Sequence, residues 1–227
     1  MKQILDETER KRIRAKIYTS NKNQPASLKD GKIKFFTERC YGKKVLDLGS
    51  IDHYEENWKS KYWLFKALLE TADDVVGLDY YKEGVDSLRK KGFNIFYADA
   101  QNFSLNQKFD VVTAGDLIEH LPNLDGFIKS VRDSLQDYGV VVLSTPNPWC
   151  WKYLFYHLMF GKLDRINKEH VSWFCLQTIE YLFSRYGFEI VSYSFTSRRL
   201  SERVMPLPAR FKNTTLNVEL RKVHVEV

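Results

Sequence analysis

The chain has few cysteines, and those it has are scattered. Its 227 residues include three, Cys40, Cys150 and Cys175, and no Cys-x-x-Cys pair. An odd number without paired spacing supports neither a disulfide framework nor a zinc site. We therefore expect a protein of the reducing cytoplasm that binds no metal.

Long apolar runs are also missing. The N-terminal stretch MKQILDETERKRIRAKIYTS has no apolar core of the kind that a secretory signal requires. A membrane-spanning helix needs about 18 consecutive apolar residues. The longest apolar stretch, 149–160, is shorter than such a helix and is interrupted by Lys152 and His157. The sequence thus predicts that no segment crosses a membrane.

Acidic residues do not balance the basic ones, and the formal net charge is +6. Such an excess favours either an anionic partner (a phosphate-bearing substrate, RNA or an anionic membrane surface) or simply solvated basic segments. No RNA-binding module is recognisable, so nucleic acid is the less favoured partner. The basic residues cluster near the two ends, at Arg10, Lys11, Arg12, Arg14 and Lys16, and at Arg198, Arg199, Arg203, Arg210 and Lys212.

The middle of the chain alternates strand-like and helix-like segments. Its strand patterns are nearly continuous Val/Ile/Leu runs, which are typical of parallel strands covered on both faces. Alternating β and α segments predict an α/β, doubly wound, Rossmann-like fold with a mostly parallel sheet. The predicted strands are 43–49, 74–79, 93–99, 109–116 and 138–147, and the predicted helices are 57–72, 81–91, 123–136 and 175–188.

Two further strand patterns, 188–195 and 214–223, predict a C-terminal antiparallel hairpin that completes a seven-stranded sheet. We expect one domain over 1–227. Its N-terminal part, 1–40, is predicted to be a helical arm, and the aromatic-rich stretch 147–175 is predicted to be a lid-like insertion.

Glycine is scarce in the turn after the first predicted strand. The stretch VLDLGSIDHYEENW contains Gly49 and no second glycine, whereas a dinucleotide pyrophosphate loop needs G-x-G-x-x-G. This argues against a pyrophosphate loop, but a ligand without pyrophosphate demands fewer glycines. Gly49 fits two interpretations equally: close approach to a ligand, or a βα turn that requires a positive φ.

Three successive strand patterns each carry an acid at or near their carboxyl ends. Asp47 lies in the first, Asp79 closes the second and Asp99 closes the third. The carboxyl ends of parallel strands form the edge where open α/β sheets bind ligands. Asp79 could accept hydrogen bonds from ribose hydroxyls or could be a helix N-cap. Asp99 could accept a hydrogen bond from an adenine amino group or could be a cap or turn residue. Together the three acids indicate a nucleoside-binding edge.

The segments VLDLGS, VVGLD, YADAQNF, FDVVTAGDLIEHLPN, VVVLSTPNPW and EHVSWFCLQTIEYLFSRYGFEIV occur in this order. Because these segments occur together, the chain resembles the class I S-adenosylmethionine-dependent methyltransferases over Lys43–Phe195. It is most similar to the group that methylates small molecules, including quinone precursors. The resemblance implies S-adenosylmethionine as cofactor and a small-molecule, sugar-linked or lipid-precursor acceptor, with oxygen as the expected atom. An RNA methyltransferase and a non-catalytic protein that retains the fold are the alternatives.

The resemblance also implies roles for individual residues. The methionine part of the cofactor would lie at Asp47 and Gly49, the ribose at Asp79, and the methyl group beside Gly115 and Asp116. The whole set of expected cofactor-binding residues is Asp47, Gly49, Ser50, Asp79, Tyr80, Asp99, Ala100, Gly115 and Asp116. The family usually has more glycines after Gly49, where this chain has Ile51 and His53.

Two histidines are the catalytic candidates. His120, in DLIEHLPN, could take a proton from a hydroxyl nucleophile or could simply pack the segment before Pro122. His170 follows the aromatic stretch, where the resemblance places substrate-facing residues, and could equally be a satisfied histidine of the lid.

The aromatic stretch itself has three interpretations. Its rings could enclose a flat or lipidic substrate, rest on a membrane surface, or pack a helix on the sheet. The rings are Trp149, Trp151, Tyr153, Phe155, Tyr156, Phe160, Trp173 and Phe174.

Overall fold

The computed structural model describes residues 31–51, 58–60, 62–161, 167–197 and 206–223. The strands in this part of the chain are β1 Lys44–Leu48, β2 Asp74–Asp79, β3 Ile95–Tyr97, β4 Phe109–Gly115, β5 Leu135–Pro146, β6 Phe188–Thr196 and β7 Thr215–Lys222. The helices are α1 Gly31–Cys40, α2 Leu64–Leu69, α3 Lys82–Lys90, α4 Leu124–Ser134, α5 Trp151–Phe160, α6 Leu176–Ser184 and α7 Ala209–Lys212. A 3-10 turn covers Ile118–His120.

The seven strands form one sheet with the order β3-β2-β1-β4-β5-β7-β6. Strands β1 to β5 pair in parallel, and β7 lies antiparallel between β5 and β6. The predicted doubly wound, mostly parallel seven-stranded fold is confirmed, and so is the antiparallel pairing of the last two strands. The sequence pattern did not predict that β7 inserts beside β5, because strand order depends on long-range packing.

Helices cover both faces of the sheet. One apolar cluster joins Leu46 and Leu48 of β1 to helices α4 and α6. The other cluster joins Val45 of β1 to helices α1, α2 and α3. Neighbouring β1 residues thus point to opposite faces, and both faces are buried, which explains why the strand reads as a continuous apolar run.

Helix α2 is shorter than the predicted 57–72 segment. The Trp63 side chain is 2% exposed, and its indole nitrogen donates to the backbone oxygen of Ser50 at 2.7 Å. This tertiary bond fixes Trp63 in an extended conformation as the N-cap, so the helix begins at Leu64. Trp58 therefore lies outside the helix despite its favourable spacing.

Part of the sequence-based interpretation falls outside the described residues. This holds for the basic residues at 10–16 and 198–203, for His53 and for most of the predicted arm; helix α1 is the part of the arm that is described. Within the described residues, no helix is long and apolar enough to cross a membrane.

The sheet order places the candidate site. From β1 the chain proceeds outwards to β2 and β3, then returns to β4 on the other side of β1. The connections from β1 to β2 and from β3 to β4 therefore run in opposite directions along the sheet. This reversal opens a crevice above the carboxyl ends of β1 and β4. The residues that follow β1, β2, β3 and β4 surround this crevice.

Candidate functional site

Asp47 lies in β1 opposite Thr113 of β4 and is 2% exposed. Its Oδ1 accepts a hydrogen bond of 2.6 Å from the Thr113 hydroxyl. Burial raises the pKa of Asp47 to about 7, and the negative charge of Asp79 adds to this effect although the Thr113 bond opposes it. The carboxyl group is therefore divided between its neutral and ionised forms near neutral pH.

The turn after β1 is held by backbone geometry. Gly49 has a φ of 75°, and a Cβ there would lie 3.3 Å from Leu117 Cδ1. A non-glycine residue would be strained in this turn. The positive-φ interpretation of Gly49 is thus confirmed, and contact with a ligand stays a prediction.

The Ser50 hydroxyl joins β1 to β2. It donates to the backbone oxygen of Asp47 at 2.8 Å and accepts from the backbone nitrogen of Leu78 at 3.0 Å. The residue is 2% exposed. These bonds account for a serine here, and its expected cofactor role stays a prediction.

Ile51 occupies a position where related loops usually carry glycine. Its side chain is 4% exposed and belongs to the apolar cluster with α1, α2 and α3. A Cβ on Gly84 of α3 would come within 3.1 Å of Ile51 Cδ1. Ile51 therefore packs against α3 in the core.

Asp79 connects the β1 turn to the start of α3. Its Oδ2 accepts from the backbone nitrogen of Ile51 and its Oδ1 from that of Tyr81, both at 2.9 Å. The N-cap of α3 is Tyr81 and no side chain caps it, so the capping interpretation of Asp79 is wrong and its carboxylate instead orders the turn that precedes the helix. A carboxylate oxygen can accept more than one hydrogen bond, so ribose binding remains compatible with this geometry. Tyr80, beside it, is 76% exposed.

Asp99 orders the turn that follows β3. It is exposed, and its Oδ1 accepts from the backbone nitrogen of Gln101 at 2.9 Å. The Gln101 Oε1 accepts from the backbone nitrogen of Asn123, the N-cap of α4. Ala100 is buried in the core. Asp99 thus serves as a turn residue, and contact with adenine stays a prediction.

Asp116 follows β4 in a left-handed conformation with a φ of 52°. Its Oδ1 accepts from the Ser144 hydroxyl and its Oδ2 from Lys32 Nζ, both at 2.7 Å. A Cβ on Gly115 would lie 3.4 Å from the same Lys32 nitrogen. The ammonium group of Lys32, on helix α1, thus lies over the end of β4.

Sequence reasoning missed Lys32, because one lysine in a basic arm carries no spacing signal. Its positive charge lowers the pKa of both Asp47 and Glu119, although burial outweighs it at each group. Lys32 therefore acts electrostatically on Asp47 and Glu119 and is ion-paired directly with Asp116.

The two candidate catalytic histidines lie together. The backbone nitrogens of Val171 and Ser172 donate to the backbone oxygen of Glu119 at 2.8 and 3.2 Å. These bonds hold the segment after α5 against the 3-10 turn. The rings of His120 and His170 consequently meet edge to face, with centroids 4.7 Å apart.

Glu119 is a second residue that sequence reasoning did not single out. It is 1% exposed, and burial together with the negative charge of Asp116 raises its pKa to about 8. Its carboxyl group is therefore mostly neutral at pH 7. Potential ligand atoms of Glu119, His120 and His170 lie within 4.8 Å of one another, a donor set that a divalent cation could use. The expectation that no metal is bound stays a prediction.

Sequence comparison identifies the family. A profile described as "Methyltransferase domain" matches residues 20–193. The chain belongs to the methyltransferase domain family. This confirms the assignment to the S-adenosylmethionine-dependent methyltransferases that the sequence segments suggested.

Curated relatives of this methyltransferase include two ubiquinone biosynthesis O-methyltransferases. The one from Actinobacillus pleuropneumoniae serotype 7 is 32% identical over an alignment of 119 residues that covers 47% of this chain and 47% of the relative. The one from Shewanella pealeana is 30% identical over 115 residues, covering 47% of this chain and 45% of the relative. The chain thus spans about half the length of the curated relatives it matches.

Solved structures agree on the fold of this methyltransferase. A SAM-dependent methyltransferase from Archaeoglobus fulgidus has a TM-score of 0.64 at 16% identity, covering 85% of this chain and 92% of that one. Magnesium protoporphyrin IX methyltransferase from Synechocystis, with bound SAH, has a TM-score of 0.56 at 16% identity, covering 86% and 81%. At such low identity these likenesses establish the fold alone.

The two buried acids predict an unusual dependence of stability on pH. The pKa values of Asp47 and Glu119, about 7 and about 8, lie above their ordinary values of 3.8 and 4.5. The folded chain then keeps protons that the unfolded chain releases. We expect the free energy of unfolding to fall as pH rises between about 5 and about 8, by on the order of 1 kcal/mol per pH unit for each group.

Urea titrations across this pH range check the prediction. Asp47→Asn and Glu119→Gln should each flatten the profile, because an amide does not titrate. Asp86→Asn, at an exposed position on α3, is the matched control and should leave the slope unchanged. A wild-type stability that rises over this interval would contradict the assignment.

Proposed function

We propose that this chain transfers a methyl group from S-adenosylmethionine to an oxygen atom of a small-molecule acceptor. The observation that carries the proposal is the convergence of Asp47, Asp79 and Asp116 on the crevice above β1 and β4. Membership of the methyltransferase family supports the reaction type. The names of the curated relatives, which align over half their length, support oxygen as the acceptor atom and a small molecule as the acceptor.

The cofactor would lie across the carboxyl ends of the first three strands. Asp47 and the Gly49 backbone would hold the ammonium and carboxylate of its methionine part. Asp79 would accept from the ribose hydroxyls, and Asp99 from the adenine amino group. The ligand thus contributes positive charge and hydrogen-bond donors to an edge that is rich in carboxyl oxygens.

The reaction itself is an in-line displacement. Bound S-adenosylmethionine would supply a methyl group activated by its sulfonium: the acceptor oxygen would bond to the methyl carbon, and the electrons of the carbon–sulfur bond would remain on sulfur. The protein contributes mainly by holding the reacting atoms in line, which can supply about 7–11 kcal/mol. The acceptor hydroxyl must also lose a proton, and we assign its uptake to an imidazole nitrogen of His120.

Three groups support His120 in this role. His170 packs against its ring and restricts the ring's orientation. Glu119, whose pKa burial raises, precedes it in the 3-10 turn and would be able to donate a hydrogen bond in its protonated form. Lys32, fixed by Asp116 at 2.7 Å at the end of β4, would supply a positive charge for an acceptor oxygen that becomes negative as its proton leaves.

An RNA acceptor is the second candidate, and the formal charge of +6 favours it. Binding to bulk tRNA at moderate salt discriminates the two. Tight binding that weakens steeply with salt would favour RNA. Weak binding, together with transfer of a radiolabelled methyl group from the cofactor to a catechol probe, supports the small-molecule proposal.

Cofactor binding is the first direct test. Saturating S-adenosylhomocysteine should raise the melting temperature by ligand linkage. Asp79→Asn should weaken the affinity at least tenfold in calorimetry, because the amide loses the second carboxylate oxygen that the ribose needs. Asp79→Ala should lower the melting temperature more than Asp79→Asn does, because it removes both backbone hydrogen bonds whereas the amide keeps one accepting oxygen.

Asp86→Asn is again the matched control and should bind like the wild type. The affinity should also rise between about pH 6 and about pH 8 as Asp47 ionises, and Asp47→Asn should remove this rise. Absence of any thermal shift at millimolar ligand would refute the proposed cofactor.

The catalytic assignment predicts separable kinetic effects. His120→Gln should lower kcat by about 10²–10⁴-fold while leaving cofactor affinity within a few-fold, because it removes only proton uptake. Lys32→Met should shift the pH–rate profile upwards, because an ionising acceptor oxygen loses its neighbouring positive charge. Both are measured as methyl transfer to the catechol probe.

Lys34→Met is the matched control for Lys32, because Lys34 lies on the same helix and pairs with Glu38 at 3.5 Å. An unchanged kcat in His120→Gln would remove the general-base role. Loss of wild-type activity after treatment with EDTA would instead indicate a cation held by Glu119, His120 and His170.

A further inference from the structure

Thr113 is the one hydroxyl-bearing residue of strand β4, whose sequence is FDVVTAG. It lies opposite Asp47 of β1 in the parallel register and is fully buried. A buried hydroxyl needs a hydrogen-bond partner. The Thr113 hydroxyl donates to Asp47 Oδ1 at 2.6 Å, and a longer bond of 3.4 Å reaches the backbone oxygen of Leu46. The carboxyl group is thus its closer partner.

This polar pair lies on an otherwise apolar face of the sheet. Successive side chains of a strand point to opposite faces, so Asp47 and Thr113 share the face of Val45 and Val111. Both valines belong to the apolar cluster that includes helices α1, α2 and α3. An ionised carboxyl group among such neighbours is destabilised unless hydrogen-bond donors surround it. Thr113 supplies such a donor from the adjacent strand.

Backbone hydrogen bonds already pair these two strands. The parallel register joins Val45–Leu48 of β1 to Val111–Ala114 of β4. A valine at position 113 would have nearly the shape of threonine and would continue the valine run that precedes it. The hydroxyl is therefore better explained by its effect on the Asp47 carboxyl group than by strand pairing.

Groups on several elements influence the ionisation of Asp47. Burial raises its pKa most, and the hydrogen bond from Thr113 is the largest influence that lowers it. The negative charge of Asp79, on β2, raises the pKa further. The positive charge of Lys32, on α1, and the Ser50 hydroxyl in the turn lower it by less. Thr113 is thus the main group that favours the ionised form.

The Cys40 thiol, on α1, is a further titratable group near Asp47. Burial and the negative charge of Asp47 raise the pKa of this thiol, so that it stays neutral at physiological pH. Lys32 pairs directly with Asp116 at 2.7 Å and acts on Asp47 from a distance. Thr113, in contrast, contacts the carboxyl group itself.

We propose that Thr113 is a positioning residue for the cofactor: its hydroxyl favours the ionised form of the Asp47 carboxyl group and fixes its orientation, so that it binds the ammonium of S-adenosylmethionine. A carboxylate offers about four lone-pair positions, so the bond to Oδ1 leaves capacity for the ligand. This inference rests on the proposed function. The ionisation of Asp47 can nevertheless be measured without any cofactor.

Carbon-13 NMR of the carboxyl groups in ligand-free protein measures this ionisation, and Asp47→Asn identifies the signal. The wild type should titrate at about pH 7. Thr113→Val should raise the midpoint by about 1 to 2 pH units, because loss of a charge-assisted hydrogen bond disfavours the ionised form. Thr113→Ser should restore the midpoint, because serine returns the donor. An unmoved midpoint in Thr113→Val would overturn the proposal.

Calorimetry with S-adenosylhomocysteine between about pH 6 and about pH 9 tests the consequence for binding. At pH 7, Thr113→Val should bind about 5- to 50-fold more weakly than the wild type, because the ionised fraction of Asp47 falls by that factor. The deficit should shrink as pH rises, whereas a purely structural defect would weaken binding equally at every pH. Thr113→Ser should bind within a few-fold of the wild type.

Thr71→Val is the matched control. The Thr71 hydroxyl donates to the backbone oxygen of Ala67 at 2.9 Å, so the change removes a hydroxyl hydrogen bond without affecting a carboxyl group. It should alter neither the Asp47 midpoint nor the affinity. The melting temperature of each variant is measured first, and Thr113→Ala is the second donor-free variant if Thr113→Val does not fold.

Failure of this inference can be distinguished from failure of the proposed function. Wild-type protein that binds no S-adenosylhomocysteine would refute the proposed function, and the role of Thr113 in cofactor binding with it. A midpoint that moves in Thr113→Val while the affinity stays at the wild-type level would overturn the positioning role alone.

Discussion

The burial of carboxyl groups at one sheet edge is the constraint on which this site depends. Parallel pairing of β1 with β2 and β4 brings Asp47, Asp79 and Asp116 towards one crevice. Negative charges removed from water need compensation, as at Asp47 and Asp79, and the partly exposed Asp116 adds a third acid to this edge. A different interaction stabilises each acid. Together these interactions connect helices, turns and strands around the crevice.

The means of compensation can be read from the contacts. Asp47 is partly neutral near pH 7, Asp79 accepts two backbone N–H bonds, and Asp116 pairs with Lys32. Glu119 is mostly protonated. The arrangement therefore suits a ligand that brings positive charge of its own, as the ammonium and sulfonium groups of the proposed cofactor would.

The fold could be predicted from the sequence because buried parallel strands read as apolar runs and because the acids Asp47 and Asp79 recur at their ends. What could not be predicted depends on contacts between distant residues. The insertion of β7 beside β5, the late start of α2 at Trp63 and the position of Lys32 over β4 belong to this class. No local pattern encodes any of them.

The reason for the missing glycines after Gly49 also depends on contacts between distant residues. From the sequence, Ile51 looks like the loss of a ligand-binding turn. In the fold its side chain fills the core against α3, while its backbone nitrogen donates to Asp79. Structural and ligand-binding interpretations of Gly49 and Asp79 are thus compatible: one group can hold the turn and retain a lone pair for a ligand.

The proposed reaction preserves the electrostatic balance of this edge. Methyl transfer removes the positive charge from sulfur, and the proton released by the acceptor makes an imidazole cationic. If His120 takes that proton, the positive charge moves from the cofactor to a ring beside Glu119 and near Asp116. In the proposed arrangement the ion-paired Asp116 carboxylate would stabilise a positive charge on that ring. Under the proposed function, the acids and histidines at the end of β4 would thus serve proton uptake as well as cofactor binding.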